Sequence, residues 1–176
     1  MTESVKYREF VKPGINENDL TQVRSVVADV KNVFEKVEVL DGIQAVHKFG
    51  ASSAKVQAVL LGHLEDLGFT SERKGLFKDM NVAGIRPDYY MPLPEGGILF
   101  EVERGKTIAN NMDLLDVWKT HICQEAKHLF LLVPNIRITE KKKEQKIFAS
   151  VEKRVGTFFL EQTHPIDVNS VHLFGY

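Results

Sequence analysis

Residues 128–134 read His-Leu-Phe-Leu-Leu-Val-Pro, with large apolar side chains at every position from Leu129 to Val133. A membrane span takes ~18 or more such residues in a row, so this run is read as a strand. Side chains alternate between the two faces of a strand, and one that is apolar throughout is buried on both. Such a strand belongs in the interior of a sheet. The sequence therefore predicts an α/β protein with a mixed central sheet flanked by helices.

At 176 residues the chain is expected to form a single domain. Its 23 Lys and Arg nearly cancel 24 Asp and Glu, and the 43% hydrophobic and 27% charged fractions are ordinary for a globular protein. With 12 Gly and 6 Pro, bulk disorder, collagen-like repeats and low-complexity linkers are excluded. Residues 1–10 lack the apolar middle of a secretory signal and no apolar run reaches membrane length, so the expectation is a cytoplasmic protein with no membrane partner. Cys123 is the only cysteine, which excludes an internal disulfide and makes it an expected core residue.

Periodicity orders the rest. Asn18 or Asp19 is placed to cap a helix whose stripe, Val23, Val27, Val30, Phe34 and Val37, fits packing on the domain or across a dimer seam, and Asp41-Gly42 is expected to end it. Ser52 and Ser53 open a second helix carrying Val56, Leu60 and Leu64 and closing at Gly68. Strands follow at 69–78, 86–91 and 98–103, with Glu95-Gly96-Gly97 supplying a turn that makes the last two antiparallel. Asn110, Asn111 or Asp113 caps a helix expected to bury Leu114, Val117, Trp118, His121 and Ile122. After the apolar strand come a lysine-rich helix over 140–160 and a final strand over 168–174. The chain thus reads as an N-terminal helical extension (1–48), a core (49–134) and a C-terminal helix and strand (135–176).

The most informative residues lie on the two hairpin strands: Arg86-Pro87-Asp88 and, twelve residues on, Glu101-Val102-Glu103. Glu101 and Glu103 share one face of their strand and Val102 points to the other. If Asp88 lies beside Glu101, three like charges converge, which is costly unless a cation sits among them. All-oxygen ligation suits Mg²⁺ or Mn²⁺, and the chemistry such a site implies is phosphodiester hydrolysis.

This arrangement resembles the PD-(D/E)xK nuclease superfamily, the restriction endonuclease-like fold whose core runs αβββαβ. Pro87-Asp88 and Glu101-Val102-Glu103 carry the resemblance, within a stretch covering about residues 52–134. It implies that Asp88, Glu101 and the Val102 carbonyl ligate the metal. Glu103 stands where the superfamily usually has lysine; a carboxylate there is read as a base or a second-metal ligand, with the cationic role passing to Lys106 or Lys119. Gln57 occupies the first-helix position where members often carry Glu, and it can hold a metal-bound water but not deprotonate it.

Arg73, Lys74, Arg86 and Arg104, with Ser52 and Ser53, are the expected nucleic-acid contacts. The six histidines show no i, i+4 zinc pair, and no phosphate-binding glycine loop supports a nucleotide cofactor. The expected function is a metal-dependent endonuclease acting on DNA, with RNA left open. Within that class a restriction-type enzyme ranks ahead of a junction or repair nuclease. Because duplex cleavage needs two cuts, a homodimer is expected. The alternative is a non-cleaving nucleic-acid-binding or protein-interaction module on the same fold.

Overall fold

The computed structural model describes residues 5–48, 50–72, 77, 86–104, 107–139, 141–160 and 166–176. In chain order its elements are β1 (Lys6–Val11), α1 (Glu17–Phe34), α2 (Val37–Val46), α3 (Ser53–Asp66), β2 (Thr70–Ser71), β3 (Tyr89–Met91) and β4 (Gly97–Val102). Then follow α4 (Met112–Ile122), β5 (Ala126–Val133), β6 (Arg137–Ile138), β7 (Glu144–Gln145), α5 (Ile147–Gly156) and β8 (Ser170–Gly175). Six strands form one mixed sheet in the order β1-β8-β5-β4-β3-β2, and β6 and β7 form a separate hairpin. The sheet is parallel from β4 through β5 to β8 and antiparallel at both flanks. Among the described residues no helix is long and apolar enough to cross a membrane.

Burial on both faces explains the position of β5. Leu129 to Val133 are wholly inaccessible, and alternate side chains enter two different cores. Phe130 and Leu132 join Ile98, Phe100 and Val102 beneath α1, α2 and α3. Leu129, Leu131 and Val133 join Leu99 beneath α4 and α5. The alternation along β4 has a consequence for the acids: with Phe100 and Val102 turned toward α1 and α3, Glu101 must face α4.

Several local expectations are revised. The stripe of α1, from Val23 to Phe34, is buried within the chain itself, so this stripe packs on the domain and is not free to form a dimer seam. The helix stops at Phe34, and Asp41-Gly42 lies inside α2 instead of ending α1. Gly42 is there for close approach: a Cβ would stand 2.8 Å from Val59 Cγ1 on α3. Of the first predicted core strand, Thr70–Ser71 is extended, and most of 73–78 lies outside the described residues. β1 is an addition, an edge strand whose charged residues concealed its alternation. The predicted helix over 140–160 starts only at Ile147. Its first residues form instead the β6–β7 hairpin, where Thr139 N–H donates to the Lys143 carbonyl (2.9 Å) and Lys142 adopts a left-handed φ of 55°.

Polar groups also line the sheet. Tyr7 Oη lies 2.8 Å from His172 Nδ1, His172 Nε2 2.8 Å from Ser170 Oγ, and Ser170 Oγ 2.8 Å from His128 Nδ1. Burial holds His128 neutral, its pKa lowered to about 4, and His172 likewise, lowered to about 3.

Phe130 packs edge-on to Phe100 and Phe174, with ring centroids 5.9 and 5.5 Å away. Truncation at the centre of such a cluster loses the transfer energy of the ring and leaves a cavity. Phe130→Ala is expected to destabilise the protein by about 3–5 kcal/mol, read as a lower urea midpoint at unchanged m-value.

Candidate functional site

The β3–β4 turn sets the site. Gly96 adopts φ 118°, a conformation open to glycine and strained for other residues. At Gly97 a Cβ would come within 2.6 Å of the Met91 carbonyl oxygen. The resulting register pairs Tyr89 with Phe100, which brings Asp88 opposite Glu101. The Val102 N–H donates to Asp88 Oδ2 at 2.7 Å, and the Asp88 N–H lies 3.4 Å from Glu101 Oε2. Within a strand the N–H and C=O of one residue point to the same side, so the Val102 carbonyl is turned toward Asp88 as well.

Helix α4 completes the cluster from above. Lys119 Nζ donates to Glu101 Oε1 at 2.7 Å and to Asp116 Oδ1 at 3.1 Å. Glu101 is 3% exposed and Asp116 wholly buried, and Asp116 Oδ2 finds no hydrogen-bond partner among the described residues. Glu103 follows on the same side as Glu101; its carboxylate lies 3.5 Å from Thr107 Oγ1, and its carbonyl accepts from the Tyr176 hydroxyl at 3.2 Å.

Asp116 escaped the sequence reading. The helix was expected to bury Leu114, Val117, Trp118, His121 and Ile122, yet Trp118 and Ile122 are about half exposed while Asp113, Asp116, Val117 and Thr120 are buried. The cause is pairing. Asp113 meets the Arg154 guanidinium of α5 at 3.0 Å and Asp116 meets Lys119, so the helix is rotated with its acids toward the sheet. Their spacing at 113, 116 and 120, on the same stripe as Val117, was the available signal.

Four carboxylates thus face one ammonium, and their proton affinities reflect it. Burial pushes Asp88 up to about 6 against the opposing hydrogen bond from Val102. Burial, then the charges of Asp116 and Asp88, push Glu103 up to about 8. Glu101 is raised well above the ordinary carboxylate range by burial and by Asp116, with Lys119 opposing. Asp116 rises to about 6, again through burial. Burial alone would depress Lys119, but Glu101 and Asp116 outweigh it and hold the ammonium charged.

As it stands the cluster is not a closed ligand shell. Among the described residues no three His, Cys, Asp or Glu side chains are grouped to hold a metal ion. The donor set nonetheless fits a hard divalent cation, which commonly takes one or two carboxylates and completes its shell with water. The two carboxylates here are Asp88 and Glu101, the Val102 carbonyl is turned to the same edge, and the local charge is in negative excess.

The other expected site residues are dispersed. Arg86 is exposed just before Pro87. The Arg104 guanidinium is buried and donates to the carbonyls of Lys48 and Ala51, so it anchors that turn and does not face solvent as a phosphate contact would. Ser52 is exposed at the start of α3 with no side-chain capping bond, and Ser53 is half-buried beside it. Gln57 lies on α3, which packs on the face opposite the carboxylates, and its carbonyl accepts from the Tyr89 hydroxyl at 2.7 Å. Lys106, Arg73 and Lys74 lie outside the described residues.

Two outcomes follow from this electrostatic arrangement. Glu103 binds its proton more tightly folded than unfolded, so its contribution is fully present below the ordinary value of 4.5 and is lost as pH rises through about 8. Glu103→Gln should therefore raise Tm at pH 8 and above and leave it nearly unchanged near pH 4. Lys119→Met removes the partner of two buried carboxylates and is expected to cost about 3–5 kcal/mol, measured by urea unfolding at pH 8.

Compared with known proteins, the sequence matches no family model and no curated protein.

Proposed function

We propose that this chain is a metal-dependent nuclease with a restriction endonuclease-like core, hydrolysing phosphodiester bonds, in DNA before RNA. The observation that carries the reading is the placement of Asp88 beside Glu101 on one sheet face, with the Lys119 ammonium 2.7 Å from Glu101. The order of α3, β2, β3, β4, α4 and β5 supports it, since it follows the αβββαβ sequence of that core.

In this reading Asp88, Glu101 and the Val102 carbonyl would hold Mg²⁺ or Mn²⁺. Such an ion would supply Lewis-acid activation of a water molecule and positive charge for the leaving oxygen. Lys119 opposes protonation of Glu101 by direct contact and contributes positive charge where the phosphorane forms. Glu103 receives the proton of the attacking water on its carboxylate. A base is most effective when its proton affinity matches the working pH, and a value of about 8 lies near neutrality. Asp116 acts through Lys119, fixing the ammonium from the helix side. Two chains acting together would cut both strands, and the seam of such a dimer is not the buried stripe of α1.

A second reading is favoured by one contact. The Lys119 ammonium, 2.7 Å from Glu101 Oε1, already supplies that carboxylate with a counter-charge. A protein stabilised in that way would be a non-cleaving nucleic-acid- or protein-binding module on the same fold.

Supercoiled plasmid titrated with Mg²⁺ and Mn²⁺ distinguishes them. The nuclease reading expects metal-dependent nicking that vanishes in Asp88→Asn and Glu101→Gln. It expects a loss of about 10²–10⁴ in rate for Glu103→Gln, the usual worth of a positioned general base. Absence of nicking at every concentration of both metals overturns it, and plasmid retention without cleavage establishes the binding module.

A further inference from the structure

The sequence places five Lys and Arg against two Glu within residues 136–146, a local charge of +3 on a chain of net charge −1. As part of a helix these charges would be spread around a cylinder. In the β6–β7 hairpin, Lys141, Lys142 and Lys143 are instead gathered at one tip, with Lys146 beside its base, all of them exposed. Thr139 closes the tip, its hydroxyl accepting from the Lys143 N–H at 3.1 Å and its carbonyl from the Lys142 N–H at 2.9 Å.

The hairpin's root ties it to the acidic cluster. β5 runs parallel to β4, and its C-terminal end lies beside Glu103, whose N–H donates to the Leu132 carbonyl at 2.8 Å. The chain then passes Pro134 into the hairpin. The Ile136 carbonyl lies 3.1 Å from His47 Nε2, and the His47 ring stands edge-on to Tyr176 at 5.3 Å. Tyr176 in turn donates to the Glu103 carbonyl. The root of the hairpin therefore lies at the same end of the sheet as Asp88, Glu101 and Glu103, fastened from the α1–α3 side.

We propose that the 136–146 hairpin is a phosphate-gripping arm that holds the backbone of a nucleic-acid duplex alongside the acidic cluster, through Lys141, Lys142 and Lys143. A cluster carrying excess carboxylate repels a polyanion. An arm of opposite sign rooted at the same end of the sheet offsets that repulsion locally, while the near-zero net charge of the chain limits binding elsewhere. This inference rests on the nuclease reading for the identity of the ligand, but the arm's binding can be measured without any cleavage.

The test is fluorescence anisotropy of a labelled DNA duplex, titrated with the full chain in EDTA over a series of NaCl concentrations. In the variant K141Q/K142Q/K143Q, affinity should fall roughly tenfold or more, and the slope of log K against log salt should flatten by about 2–3, the loss of three phosphate contacts. Single substitutions should each flatten it by about one. Equal affinity and slope in wild type and triple variant overturn the arm, as does a wild type that binds no duplex. Loss of binding to anionic phospholipid vesicles in the triple variant, with duplex binding unchanged, overturns it in favour of a lipid surface. If plasmid nicking fails at every metal concentration while the anisotropy difference persists, the arm stands and the nuclease reading falls. Nicking with unchanged anisotropy gives the reverse.

Discussion

The ammonium of Lys119, held between Glu101 on the sheet and Asp116 on its own helix, governs the arrangement around it. Buried carboxylates without a partner are among the most costly groups a fold can contain, and removal of one partner leaves the other stranded. Satisfying Glu101 from above fixes the rotation of α4 on the sheet. That rotation buries Asp113 and Asp116 and turns Leu115, Trp118 and Ile122 outward, against the usual preference of an amphipathic helix. A polar requirement has overridden the hydrophobic one over this helix, and it has done so beside Asp88 and Glu101. Concentration of unfavourable charge in one place is the expected mark of a functional site.

The architecture was legible where a single physical pressure acts on consecutive residues. Burial on both faces requires apolar side chains at every position, so β5 could be read from Leu129 to Val133 and placed inside the sheet. Glycine's tolerance of positive φ made the β3–β4 turn readable, and the turn's register brought Asp88 and Glu101 together. Legibility ended where tertiary contacts outweigh local preference. Lysine is a good helix former, yet residues 141–145 turn back as a hairpin because Lys142 takes a left-handed conformation and Thr139 closes the loop. Gly42 resembled a helix terminus and is instead a contact surface against Val59, a role that depends on a residue seventeen positions away. Asp116 was hidden because an aspartate on a helix is ordinarily solvated, and only the position of Glu101 makes it a core residue.

The back of the site is held from several elements at once. Arg104 fastens the turn before α3, Tyr176 reaches the Glu103 carbonyl from the end of β8, and Arg154 on α5 draws in Asp113 and Asn111 at the start of α4. Contacts from both helical layers and from the end of β8 therefore converge on the described residues that follow β4. Such over-determination restricts the nearby carboxylates to a narrow range of positions.

The line of polar contacts from Tyr7 through His172 and Ser170 to His128 crosses β1, β8 and β5. Apolar side chains are interchangeable enough that an edge strand could slide along its neighbour and still bury a comparable surface. A displacement of β1 by one residue would carry the Tyr7 hydroxyl to the wrong face and strand the His172 ring inside the protein. These polar atoms act as a key that admits one alignment of the outer strand and rejects its neighbours.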